Sequence, residues 1–397
     1  MTQSASQNAS PSPWLSLWGS PTATIERIIA HDPRGNVLLL SAFTGIAIAL
    51  LQLLLLKVSP NLFDWRFVGL IVAYGVAAGI VNLYISGLLL AWSGRWLGGR
   101  ASQTQVRAAL AWSFLPVVVS LTLNLIVLIG LRLFADRVSE DMSDGLFIVG
   151  VALMLWSLFL LIIMLGRVQS FSIPRAILNV VLCALLQFGL VVVIKTFLFE
   201  SFNIPSGHMR PTLLVGDRFL VSKFQYGLSL PFLSGRFLAS APDRGNVVVF
   251  RLRGDDGVSH VDRVIGLPGD EIQATNGMLI INGIPVKREQ LEDIASESPC
   301  PNPETKASRW REILPNGAAY ETFQCKDEPQ LPEADKPYKV PSGEYFMLGD
   351  NRDNSTDSRF SSVGFIPIEN ITGQATIVIL SIARGELRFD RLGKFVR

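Results

Sequence analysis

The chain of 397 residues has only three histidines, His31, His208 and His260, and two of them stand two residues from an oxygen-bearing side chain. In Ser206-Gly207-His208 a hydroxyl is followed by an imidazole; in His260-Val261-Asp262 an imidazole is followed by a carboxyl. A serine hydroxyl is too weak an acid to attack a carbonyl unaided, so it needs a base to take its proton. Residues two apart in an extended segment point to the same side, which lets His208 reach the Ser206 hydroxyl. Two histidines and a carboxylate (His208, His260 and Asp262) also suit zinc or iron with open coordination positions. The bland alternative for His260 is a satisfied or exposed strand histidine. A histidine beside an aspartate could in principle activate water directly, although such a pairing raises the histidine pKa and leaves less free base.

The half of the chain that precedes these residues is of a different kind. Hydrophobic residues make up 49% of the sequence and charged residues 17%, too apolar for an ordinary soluble protein. Five apolar runs near bilayer length, ~20 residues each, account for the excess: Val37–Leu56, Phe67–Ala91, Ala108–Leu131, Gly145–Gly166 and Ala176–Ile194. A helix closes its own backbone hydrogen bonds, which is why such runs can sit in lipid. Asn82 and Asn124, the polar residues singled out inside the runs, are expected to join helices by hydrogen bonds. Ahead of the runs, residues 1 to about 20 are Ser-, Pro- and Gln-rich and carry too few apolar groups to fold. They lack the pattern of a cleaved secretory signal. Thr22–Gly35 can hold a short interfacial helix, with Ile25, Ile28 and Ile29 at helical spacing.

Sidedness follows from the basic residues of the short loops. With a cytoplasmic N-terminus the inside segments hold Arg27, Arg34, Arg95, Arg100, Arg107, Arg167 and Arg175. Outside fall Lys57, Arg66, Arg132 and Arg137, the last two diluted by Glu140, Asp141 and Asp144. An odd number of spans then delivers everything after Ile194 to the outer side, the periplasm of a bacterium. The expected location is the inner membrane, multi-pass, with the bilayer as a partner. A net charge of +2 says nothing about nucleic acid, and no basic block or aromatic-basic stripe supports such a partner, so none is expected.

From Glu200 onward the pattern changes to short strands with turn clusters between them. Strands are expected at Arg218–Val221, Asn246–Leu252, His260–Ile265, Met278–Ile281, Tyr345–Leu348 and Ala375–Leu380. Turns are expected at Gly254-Asp255-Asp256-Gly257, Thr275-Asn276-Gly277 and Asn282-Gly283. Ser296–Tyr338 is polar and weakly patterned, an insertion on the β scaffold. Cys183 lies in an apolar run and reads as a small hydrophobe. Cys300 and Cys325 could close a disulfide outside the cytoplasm or remain thiols.

Five blocks in order carry a family resemblance. They are Pro205-Ser206-Gly207-His208-Met209-Arg210-Pro211-Thr212-Leu213; Gly216-Asp217 with Lys223-Phe224 and Tyr226-Gly227; Arg244-Gly245-Asn246-Val247-Val248-Val249-Phe250; His260 through Asp270; and Gly349 through Arg359. Over roughly 178–382 the chain resembles the signal peptidase I family of membrane serine endopeptidases (S26 type). The resemblance implies an antiparallel β domain lying on the membrane, its site close to the surface, that cleaves preproteins as they emerge. More weakly, Ala23-Thr24-Ile25-Glu26-Arg27-Ile28-Ile29, Asp32-Pro33-Arg34 and the span count resemble a Yip-type membrane domain. The expected fold is thus a multi-span α-helical membrane domain followed by a mostly antiparallel β domain of signal peptidase I type. Its divisions are 1–35 as a disordered or interfacial N-terminus, 36–175 with four spans, 176–199 as the fifth helix, and 200–397 outside.

By this resemblance His208 stands at the nucleophilic serine position and Asp262 at that of the lysine whose burial keeps it a neutral base. Asn246 departs from the family's usual aspartate. Ser206 matches the serine that helps hold the oxyanion, and Ser355 the serine that orients the lysine. Ile204, Met209 and Val261 are implied to line a shallow groove for small substrate side chains. Arg263, Asp350, Arg352, Asp357 and Arg359 are implied to brace the site by ion pairs. Gly207, Gly349 and Gly266-Leu267-Pro268-Gly269 read as turn positions that use glycine's backbone freedom. Lys223 and Lys195 do not replace the missing base. The leading expectation is a scaffold without Ser/Lys catalysis and without a cofactor, in which His208 and Asp262 merely pair, binding exported or signal peptides as an added strand. The alternatives are an active peptidase of altered mechanism, through a Ser206–His208–Asp262 triad or the His208/His260/Asp262 metal site, and a membrane scaffold.

Overall fold

The computed structural model describes residues 12–55, 65–120, 122–123, 140–229, 236–237, 240–252, 257–275, 278–291, 300, 305–325, 336–383 and 385–397. It divides into two compact units, 1–191 and 192–397.

The first unit is helical. After a short turn of helix at Pro13–Ser16 come helices Pro21–His31, Val37–Leu55, Trp65–Trp96, Gln103–Ser113, Glu140–Gln169 and Ile173–Val193. Three stretches are long and apolar enough to cross a membrane: Trp65–Trp96, Ile148–Gln169 and Ile173–Leu198. Val37–Leu50 is a shorter apolar helix, and the end of the expected first span at Leu56 lies outside the described residues. The expected run Ala108–Leu131 is not one continuous helix. The Gln103–Ser113 helix closes at Phe114 (φ −84°, ψ 0°) and a new one starts at Leu115. Pro116 explains the break, having no N–H to return to the preceding turn; most of the run beyond Ser120 lies outside the described residues.

Small residues let two of these helices meet backbone to backbone. A Cβ on Gly45 would stand 2.0 Å from the Gly75 carbonyl oxygen, and one on Gly79 would stand 2.1 Å from that of Ser41. Polar side chains also join helices, but not the expected ones. Asn82 accepts a hydrogen bond from Ser86 one turn along its own helix (3.1 Å), and Asn124 lies outside the described residues. The interhelical bonds come instead from Asn179, which donates to the Leu90 carbonyl (3.1 Å) and to Ser93 (2.8 Å), and from Gln187, which reaches Ser86 (2.6 Å). Nor is the segment before Ser20 wholly without packing. Leu17 is fully buried and Trp14 lies 5.0 Å from Trp112, so these two apolar side chains anchor 13–20, while 1–11 lie outside the described residues.

The second unit is built on an antiparallel sheet. Its strands run Phe199–Asn203, Asp217–Ser222, Ile371–Ala383, Val247–Phe250, His260–Gly266, Glu344–Leu348 and Ile366–Pro367, with Glu386–Leu387 paired to Ile371–Ala383. The Val247–Phe250 strand reads as an apolar run because it is an interior strand, packed on both sides; Val247, Val248, Val249 and Phe250 are all buried. A second sheet joins Tyr338–Lys339, Glu271–Thr275, Met278–Ile281 and Ile284–Pro285. The turn cluster at Asn282-Gly283 closes its hairpin, with both residues at positive φ. The clusters at 254–256 and 276–277 lie outside the described residues.

The polar insertion holds more order than its composition suggests. Lys287–Gln290, Ala307–Ile313 and Ala319–Cys325 form a three-stranded sheet, and Cys300 is disulfide-bonded to Cys325 across 25 residues. Closing a loop of that length is worth about 3 kcal/mol against the unfolded chain. Replacing both cysteines by serine is therefore expected to lower the melting temperature of the β unit in detergent. Non-reducing peptide maps of the wild type should show the 300–325 cross-link; two free thiols would contradict the fold described for this hairpin.

Candidate active site

Three segments meet at the site. The first is the loop that follows the Phe199–Asn203 strand. Ile204 donates to the Asp217 carbonyl (2.9 Å) and Gly216 returns a bond to the Ile204 carbonyl (3.0 Å), so both ends of the loop 204–216 are tied to each other. Ile204, Met209 and Leu213 then turn inward and are buried. Ser206 is left exposed and His208 half-buried.

The second segment is the His260–Gly266 strand. Val261 pairs with Val249, and Asp262 with Val248. Alternation along the strand sends the Val261 carbonyl to the side away from Val247–Phe250, toward the loop. There it meets His208 Nε2 at 2.7 Å. On the other ring nitrogen, His208 Nδ1 lies 2.7 Å from Ser206 Oγ. A carbonyl can only accept, so Nε2 carries the proton. The neutral ring then has its lone pair on Nδ1, and the Ser206 hydroxyl donates to it.

The third segment is Gly349 through Arg359. Asn351 donates its backbone N–H to the His208 carbonyl (2.9 Å) and its side-chain amide to the Gly207 carbonyl (3.1 Å). Gly349 has no room for a side chain: a Cβ there would lie 2.2 Å from Ser355 Oγ and 2.9 Å from the His208 carbonyl oxygen. That spatial need, rather than an unusual φ, is what glycine meets at this position, and Gly207 also keeps an ordinary φ. Behind the loop Arg263 grips Asp350 with two hydrogen bonds (2.7 and 2.6 Å), donates to Gly245 (2.7 Å), and lies 4.1 Å above the Tyr320 ring. Arg359 holds Asp357 (2.8 Å twice), and Asp357 accepts from the Gly349 N–H (3.1 Å).

Arg352 does not pair with the neighbouring motif aspartates. It binds Glu312 (3.0 and 2.6 Å) and Tyr320 Oη (2.9 Å), and Tyr320 donates to Glu312 (2.8 Å). Glu312 and Tyr320 belong to the insertion hairpin. They were not legible as site supports because a lone Glu and Tyr in a polar stretch carry no spacing signal. Their alternation with exposed residues across Ala307–Ile313 and Ala319–Cys325 is the one pattern that could have found the strands.

Asp262 differs from the simplest expectation. Its side chain is 4% exposed and Oδ1 lies 3.9 Å from His208 Nε2, within ion-pair range but without a hydrogen bond; Oδ1 has no hydrogen-bond partner among the described residues. Burial pushes its carboxyl well above the ordinary carboxylate range, and the nearby Asp357 and Asp350 push it the same way against the opposing Arg359. His208 is lowered from the usual histidine value, chiefly by burial and also by His260, while the Val261 carbonyl, Asp350 and Asp357 work against the shift. Both shifts run toward the neutral forms. Asp262 stands beside His208 as expected, within ion-pair distance, but the hydrogen bond to Nε2 is made by the Val261 carbonyl and not by Asp262.

The metal expectation is corrected too. Among the described residues no three His, Cys, Asp or Glu side chains converge as ligands. His208 spends both ring nitrogens on Ser206 and Val261, and His260 stacks on Phe250 at 5.8 Å. Ser355 Oγ is buried with no partner among the described residues. Over these groups opens a cleft of about 410 Å³ whose lining includes Ile204, Ser206, His208, Val261, Asp262 and Thr356. Met209 does not line it; it is fully buried in the core beneath.

The family profile for signal peptidase, peptidase S26, matches residues 177–380, a span that holds all three segments. Signal peptidase I of Pseudomonas fluorescens is 40% identical over 218 residues, covering 51% of this chain and 74% of its own. The chain belongs to the signal peptidase I family. Signal peptidase I of Rickettsia conorii is 36% identical over 202 residues (47% and 74%), and that of Pseudomonas aeruginosa 38% over 202 residues (48% and 68%). A solved signal peptidase I from Enterococcus faecalis V583 matches 34% of this chain and 98% of its own at 26% identity, with a TM-score of 0.21. The Yip1 domain profile matches residues 15–194. The protein is thus a signal peptidase I-like membrane protein of the export machinery with several apolar helices ahead of its β unit.

The raised Asp262 carboxyl has a stability consequence. A folded-state value above the unfolded one means that full stability is present below the unfolded value, about 3.9, and is lost as pH rises through the folded value. Asp262→Asn removes that loss. The variant should melt higher than the wild type at pH 7, with the difference closing toward pH 4. A wild type that gains stability over the variant between pH 4 and 7 would show an ionised, paired Asp262 instead.

Proposed function

We propose that the β unit seats an extended segment of an exported or signal-bearing polypeptide in this cleft, and that the Ser/Lys hydrolysis of its family does not run there. The observation that carries the second half is Asp262. At the family's lysine position stands a buried carboxyl whose pKa burial pushes up, and it offers no amine lone pair to take a proton from a nucleophile. At the serine position stands His208, itself bonded through both nitrogens.

The first half rests on what persists. Ile204 and Val261 still face an apolar-lined cleft. The His260–Gly266 strand pairs with Glu344–Leu348 only from Arg263 onward, and the side of Val261 that carries its carbonyl toward the loop is where we place an added strand. His208 occupies the Val261 carbonyl on that side, and an incoming strand must share it. The ordering 1–35, 36–175, 176–199 and 200–397, with the N-terminus cytoplasmic and the β unit periplasmic, is part of the same reading and rests on the loop arginines.

The test is cleavage of a standard signal-peptide-bearing preprotein by the full-length protein in detergent. The wild type is expected to be silent and His208→Ser/Asp262→Lys to cut. A labelled signal peptide should bind the wild type by fluorescence polarisation, and more tightly to His208→Ala, in which the Val261 carbonyl is free. Cutting by the wild type would overturn the loss of hydrolysis; absence of peptide binding in a folded protein would overturn the seating.

A further inference from the structure

The contacts of His208 make a nucleophile–base pair that the family's chemistry does not use. Ser206 Oγ donates to Nδ1 at 2.7 Å, and the Val261 carbonyl fixes Nε2–H from the far side at 2.7 Å. A nucleophile within hydrogen-bond reach of a base, with the base held by a third group, is the arrangement that activates a serine. Here the third group is a backbone oxygen on an interior strand, not a carboxylate. Ser206 is the exposed member and opens onto the cleft. The Gly207 and His208 N–H groups, next along the chain, donate to no backbone carbonyl among the described residues, which makes them the candidate donors to an oxyanion.

The geometry points to a second acyl-transfer centre in which Ser206 is the nucleophile, His208 Nδ1 the base and the Val261 carbonyl the group that positions the base, acting on short-chain carboxylic esters. The Ser206 oxygen bonds to the ester carbonyl carbon while its proton passes to Nδ1. The carbon–oxygen bond to the alcohol then breaks, and the alcohol leaves with the Nδ1 proton. Water repeats the sequence in the other direction: it gives a proton to Nδ1, bonds to the acyl carbon, and releases the acid and a regenerated Ser206. Esters rather than amides follow from two features. A neutral carbonyl stabilises the transient imidazolium less than a carboxylate does, so the leaving group must be a good one. The nucleophile also stands two residues before the position at which the family attacks, so a preprotein's scissile amide is not presented to it. An apolar-lined cleft of about 410 Å³ suits a short acyl chain.

This inference goes beyond peptide seating and fails separately from it. The full-length protein in detergent is treated with a fluorophosphonate, and turnover of p-nitrophenyl acetate is followed in parallel. Expected are a covalent adduct on the peptide containing Ser206 and ester hydrolysis that falls by ~10²–10⁴-fold in Ser206→Ala and in His208→Gln. Because a variant may misfold, Ser206→Cys supplies an independent reading: its thiol should react with iodoacetamide faster than that of Ser206→Cys/His208→Gln, with the 300–325 disulfide intact in both. An adduct elsewhere, no adduct, or rates unchanged by His208→Gln would overturn the centre, while signal-peptide binding to the same protein would leave the seating intact.

Discussion

The site turns on one acceptor, the Val261 carbonyl. It belongs to an interior strand whose register against Val247–Phe250 fixes its direction, and it cannot donate. Once His208 Nε2 bonds to it, the tautomer, the ring plane and the lone pair on Nδ1 are all determined. Ser206 then has only one role toward the ring, that of donor. Burial lowers the imidazole's proton affinity, so the ring stays neutral and the arrangement persists at neutral pH without help from Asp262.

The braces around the loop were built for a different tenant. Asp350 and Asp357 are locked by Arg263 and Arg359, and their charges disfavour a second anion nearby. A cation or a neutral group suits position 262; an aspartate there has its pKa pushed up by burial and by Asp357 and Asp350. The raised Asp262 carboxyl and the ion-paired braces are thus one electrostatic fact. The backbone bonds from Asn351 to Gly207 and His208, and the space kept by Gly349, hold the loop whichever side chain occupies 208. A scaffold of this kind can lose one reaction and keep the geometry on which another could be assembled.

Much of this was legible in the sequence and some was not, for identifiable reasons. The interior strands announce themselves as apolar runs, and the blocks around Ser206, His260 and Gly349 carry the family resemblance by residue type. The Ser206 contact of His208 was readable from the spacing, but its Val261 partner was not, because a backbone carbonyl leaves no mark on residue identity. Arg352 was expected among the motif acids, whereas its partners Glu312 and Tyr320 come from a hairpin hidden in a polar stretch. In the helical unit three of the five expected apolar runs fall in helices long and apolar enough to cross a membrane, and composition did not show the break that Pro116 imposes at Phe114. It also could not say that Asn179 and Gln187, rather than Asn82, would find partners on another helix.

The most direct test is the tautomer of His208, read by side-chain nitrogen-15 NMR of the full-length protein in detergent at pH 7, with His208→Gln to assign the signal. The account predicts a neutral ring with the proton on Nε2 and an unprotonated, hydrogen-bond-accepting Nδ1. A ring protonated on Nδ1, or a charged imidazolium paired with an ionised Asp262, would contradict it.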